Sequence, residues 1–136
     1  MCERCPLKNS FARSDQILVI RNGEEYAYSR GSSEYNSILS AWDAMLENAF
    51  QMPAFGVCID KLTRAEKEKG LWVEFVFSEK KEHNGMPFER LLVAVKPEFR
   101  GFNIERYNDG AYGGRCFYID LGKEDMRSFY DAITKL

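Results

Sequence analysis

Histidine is almost absent from this sequence: His83 is the only one in 136 residues. A Ser-His-Asp or Cys-His set would therefore depend on one residue, which stands in a charged stretch beside Asn84-Gly85 and reads as an exposed loop histidine. No G-x-S-x-G, no P-loop and no H-E-x-x-H occurs, so the motifs that carry serine hydrolysis, phosphate cradling and zinc proteolysis are missing. Long apolar runs are missing too. Nothing approaches the roughly 20 residues that span a bilayer, and residues 1–13 contain no apolar h-region. The expectation is a cytoplasmic protein with its 4 cysteines reduced and no membrane partner.

A surplus of one charge is also lacking. Nineteen Lys and Arg face 21 Asp and Glu, for a net charge of −2 and a pI near 5.5. Nucleic-acid binding draws on a basic surplus that releases counterions from phosphates, so no nucleic-acid partner is expected.

Aromatic residues are plentiful, at 14%. They fit pleated, half-buried surfaces and point to sheet packing. Residues 1–14 are polar and read as an N-terminal arm, leaving 15–136 as a single domain. Gln16 to Arg21 and Glu24 to Ser29 read as strands around Asn22-Gly23, the sequence that a two-residue type I′ turn demands. That turn pairs Val19 with Tyr26 and Ile17 with Tyr28. A helix follows over 34–50, striped by Tyr35, Ile38, Trp42, Met45 and Ala49 at steps of three and four, and closed by Pro53.

Residues 54–60 read as a strand with Phe55, Val57 and Ile59 on one side. Thr63-Arg64-Ala65-Glu66 reads as a capping box opening a short helix that Gly70 closes. Leu71 to Ser78 alternates, with Leu71, Val73, Phe75 and Phe77 on one face. After a charged loop over 79–87 come strands at 88–96, 102–107 and 115–121, then a C-terminal helix over 123–136 with Glu124 and Asp125 in its first turn. The order is β-β-α-β-α-β-β-β-β-α. It predicts an α+β fold: one largely antiparallel sheet of about five to seven strands, with the long and the C-terminal helices packed on one face.

Three groups of residues invite a chemical reading. Cys2-Glu3-Arg4-Cys5 is half of a zinc site by spacing, but Cys58 and Cys116 are isolated, so Cys2 and Cys5 are weak metal candidates and no cofactor is expected. Gly110 to Arg115 is glycine-rich but leads into a strand, which is hairpin chemistry rather than a phosphate loop. The last group lies opposite the aliphatic sheet face: Trp72, Glu74, Arg90, Lys96, Glu105, Tyr107, Tyr118 and Asp120. Antiparallel sheets commonly leave such a face solvated. If it acts, Tyr, Trp and Arg favour protein contact over catalysis.

The leading expectation is therefore a non-enzymatic protein-binding module using that face or a strand edge, of the immunity, antitoxin or adaptor kind by class alone. A small-molecule site or enzyme using Glu74, Arg90, Glu105, Tyr118 and Asp120 is the alternative. A homodimer that buries Trp72 and Tyr118 is the third.

Overall fold

A computed structural model describes residues 3–4, 14–47, 49–52, 56–83 and 85–136, with 3–4 and 51–52 described by their backbone. Among the described residues ten strands and three helices follow one another as β1 (Glu3–Arg4), β2 (Gln16–Arg21), β3 (Glu24–Ser29), α1 (Ser33–Leu46), β4 (Phe50–Met52), β5 (Val57–Ile59), α2 (Asp60–Glu66), β6 (Leu71–His83), β7 (Met86–Ala94), β8 (Gly101–Asn108), β9 (Ala111–Arg115), β10 (Phe117–Asp120) and α3 (Arg127–Thr134). Every pairing among them is antiparallel. The main path runs β1-β4-β10-β8-β7-β6-β2-β3, while β9 leaves β8 to pair with β5.

The Asn22-Gly23 hairpin forms with Val19 opposite Tyr26 and Ile17 opposite Tyr28. Asn22 and Gly23 both hold positive φ, 50° and 87°, as a type I′ turn requires. The aliphatic face of β6 packs as the alternation predicts. Val73 and Phe75 are fully buried beside Ile17, Val19, Leu91 and Val93. Helices α1 and α3 cover this face. Trp42 of α1 is the centre of the layer, with its ring 5.0 Å from Phe75, 5.5 Å from Phe102 and 5.3 Å from Phe129 of α3. Each such buried side chain contributes about 1.5–3 kcal/mol through its removal from water.

Several elements depart from the sequence reading. Helix α1 begins where Ser32 accepts the Tyr35 N–H, but it ends at Leu46 rather than near residue 50. Phe50 instead pairs with Asp120 in β4, because a sheet edge offers its backbone a full ladder. Pro53, Ala54 and Phe55 lie outside the described residues.

The charged stretch 79–87 is not a loop. Strand β6 runs on to His83 after an irregularity between Val76 and Lys81, and β7 returns from Met86. His83 is half-buried there, edge-on to Phe117 at 5.3 Å. Ser14, at the end of the expected arm, is fully buried and bonds the Tyr35 hydroxyl at 3.0 Å. Helix α3 starts at Arg127, whose N–H is taken by Asp125; Glu124 and Asp125 therefore precede its first turn.

Candidate functional site

The sheet face opposite the helices is not left to solvent. Strand β5, helix α2 and strand β9 fold across part of it and close a second, smaller core of Leu18, Ile20, Trp72 and Leu92 against Cys58, Tyr112 and Cys116. Two local features build this cover. Asp109 and Gly110 take φ of 52° and 85°, a tight hairpin that sets Tyr112 opposite Tyr107. Gly114, at φ +76°, then turns the strand outward to pair with Cys58; a side chain there would collide with the Arg106 guanidinium. The guanidinium is itself held by the carbonyls of Arg115 at 2.7 Å and Pro87 at 2.8 Å.

Thr63 does not cap a helix. Helix α2 begins three residues earlier, at Asp60, whose carboxylate accepts both the Tyr112 N–H and the Arg64 Nε–H. That pairing of Asp60 with the Tyr112 N–H and with Arg64 holds its carboxyl below the usual range. Thr63 points inward instead and donates to Glu105 at 2.8 Å.

Beneath the cover, Glu74 is wholly buried. Its Oε2 accepts a short hydrogen bond from the Tyr112 hydroxyl. Lys67 Nζ donates to that hydroxyl at 2.7 Å and stands 3.8 Å from Glu74 Oε1; Arg90 Nη1 approaches the same oxygen at 3.4 Å. Arg90 also lies over the Tyr107 ring at 5.2 Å, and Tyr107 meets Tyr112 edge-on at 5.0 Å.

A buried carboxylate is tolerated only with such partners, and removing one leaves a charge stranded. Burial and the Glu74 charge push the Tyr112 phenol far above its ordinary value, so it stays protonated and donating near neutral pH. The arrangement suits a lock between cover and sheet. It does not suit a group that must meet substrate.

Glu105 is one strand pair away. The register places Leu92 between it and Glu74, so their Cα positions are about 10 Å apart across three strands, and each carboxylate has its own hydrogen-bond partners. Glu105 instead lines a cleft of about 340 Å³ between cover and sheet, with Trp72, Lys96, Phe99, Phe102 and the two cysteines. Loss of water raises its carboxyl above the ordinary range, and the Thr63 bond offsets this in part. Burial likewise raises the Cys58 thiol and pushes Cys116 up to about 12, so neither is a ready nucleophile. Among the described residues no group of three or more His, Cys, Asp or Glu is placed to hold a metal ion.

The expected face thus divides. Trp72, Lys96 and Glu105 share the cleft; Glu74, Arg90 and Tyr107 belong to the buried network. Tyr118 and Asp120 join neither. Tyr118 stands opposite Asn103, and the Asp120 carboxylate takes the Gly122 N–H at 2.8 Å, a turn contact. The reading of a solvated face is corrected at its centre, since Trp72 is 8% exposed and Glu74 not at all. Cys2 and Cys5 lie outside the described residues.

Lys67, Tyr112 and Thr63 join the site from outside the sheet face that alternation marks in the sequence. Tyr112 was within reach, because a two-residue turn at Asp109-Gly110 places it across from Tyr107. Lys67 and Thr63 carry no such local signal.

No known protein family, curated protein or solved structure matches the chain. No described helix is long and apolar enough to cross a membrane.

Proposed function

We propose that this protein is a non-enzymatic binding module that docks another protein on the outward side of the β5–α2 cover, in a cytoplasmic setting. One observation carries the reading. Val57, Ile59 and Leu62 expose 69%, 59% and 56% of their surface within six consecutive residues. Scattered exposed apolar side chains are ordinary, but adjacent ones on a single short segment mark contact surfaces. Among the described residues β5 pairs only with β9, so its other edge can accept a partner strand while alternate side chains grip it. The contact surface expected from the sequence moves with this reading, from the sheet face to the layer that covers it. Within this proposal an immunity, antitoxin or adaptor role is an analogy of class alone.

A photo-crosslinking residue at position 62, with one at the exposed Asn36 as control, tests the proposal in native cells. A discrete product from position 62 alone, abolished by Ile59→Asp, is expected. Equal products from both positions, or none from 62, would refute it. A product of twice the 15.8 kDa chain mass would assign the surface to self-association instead.

A further inference from the structure

The cleft on the inner side of the cover has a chemistry of its own. Its volume of about 340 Å³ falls within the range of small-ligand sites. The lining is mixed: Trp72 and Phe99 give it aromatic surface, and two carboxylates, Glu66 and Glu105, share it with one base, Lys96. Glu105 is the decisive group. Its Oε1 accepts from Thr63, while Oε2 has no hydrogen-bond donor among the described residues.

We propose that this cleft binds a protonated primary amine carried on a short apolar stem.

Each part of that ligand answers a feature of the site. A half-buried carboxylate with an open oxygen lacks the hydration it had in the unfolded chain, and an ammonium restores a charge-assisted hydrogen bond there. A neutral apolar ligand would desolvate Glu105 further and return nothing. An anion would meet two carboxylates. Trp72 and Phe99 favour a cation with a hydrocarbon stem, since rings attract ammonium groups electrostatically and bury methylenes. The chain gives its own precedent: the Lys96 ammonium lies over the Phe99 ring, 5.4 Å from its centre. Val57 borders both this cleft and the docking surface proposed above, but the amine contact rests on Glu105, on the sheet side of the cover, and does not require a docked partner.

The same chemistry arises from a free small amine or from a lysine side chain of a polypeptide, and the test separates them. The whole chain, labelled with ¹⁵N, is titrated with n-butylammonium, n-butanol and Nα-acetyl-lysine methylamide. The Trp72 indole N–H, which donates to the Lys69 carbonyl at 2.8 Å, and the Glu105 amide are the reporters.

Butylammonium should shift both reporters saturably, and butanol should not. Tighter binding of the capped lysine assigns the source to a polypeptide; weaker binding assigns it to a free amine. Glu105→Gln, which keeps the Thr63 bond, should weaken binding at least tenfold, and Glu66→Gln, on the exposed rim, several-fold. An equal response to butanol, or no saturation by butylammonium or capped lysine at about 50 mM, well beyond the millimolar affinity expected of such a fragment, would overturn the proposal. Loss of crosslinking at position 62 would leave these outcomes untouched.

Discussion

Glu105 and Glu74 are both acids on one sheet face, yet their surroundings give them opposite behaviour. Glu74 is surrounded by a phenol and two cations, so its charge is answered from inside the protein. Glu105 has one hydroxyl and a cleft, and burial raises its carboxyl. A carboxyl raised on folding binds its proton more tightly in the native state. The stability linked to it is complete below the ordinary carboxylate range and declines as pH rises through the raised value. Glu105→Gln should therefore melt above the parent near pH 7, with the two converging at about pH 3, where both forms of the parent carry a neutral Glu105. Paired thermal melts across that range measure it. A constant offset at every pH would mean that packing, and not ionisation, separates the two.

At the scale of elements, the cover is held by few groups. Asp60 ties α2 to β9, while Lys67 and Tyr112 tie both to Glu74 of β6. Tyr112→Phe removes the hydroxyl that joins Lys67 to the buried carboxylate. The expected loss is about 1–3 kcal/mol, the cost of leaving a buried polar group underbonded. Urea unfolding would register the total. Hydrogen exchange should show β5 and α2 losing protection before β6 and β7 do, because the lost contacts lie on one side of the sheet. Uniform loss of protection would show that the cover does not open separately.

Much of this scale was legible in the sequence, and the reasons are local. The Asn22-Gly23 turn, the alternation in β6 and the stripe of α1 each depend on neighbours within a few residues. What escaped reading depends on distant partners. Phe50 continues the helical period of α1, but β10, far along the chain, captures it as a strand. Thr63 and Glu66 have the spacing of a capping box, but a helix start at Asp60, tied to Tyr112, turns Thr63 inward. Trp72 and Glu74 alternate with aliphatic residues as solvent-facing positions do. The same period is produced by a polar network under a cover, and only the residues above the sheet tell the two apart.

For the whole molecule, the sheet is assembled from strands far apart in sequence. Strand β2, at 16–21, pairs with β6 from 71 onward, and β4, at 50–52, pairs with β10 at 118–120. Closing such loops precedes any gain from the contacts they make, which slows folding relative to helical bundles. Refolding after dilution from denaturant, followed by tryptophan fluorescence, should take on the order of milliseconds to seconds. A phase complete within about 100 microseconds would contradict a transition state built on these pairings.

The ring cluster around Trp42 has a bearing on synthesis as well. A ribosome delivers the indole before any of the three phenylalanines that enclose it, and Phe129 comes last of all. Arg21 waits as long, since its Nη2 donates at 2.7 Å to the carbonyl of Ile133. At ordinary rates of translation the interval is on the order of ten seconds. During it the indole gains Phe75 and then Phe102, but the apolar face of α1 stays incompletely covered until α3 has been made.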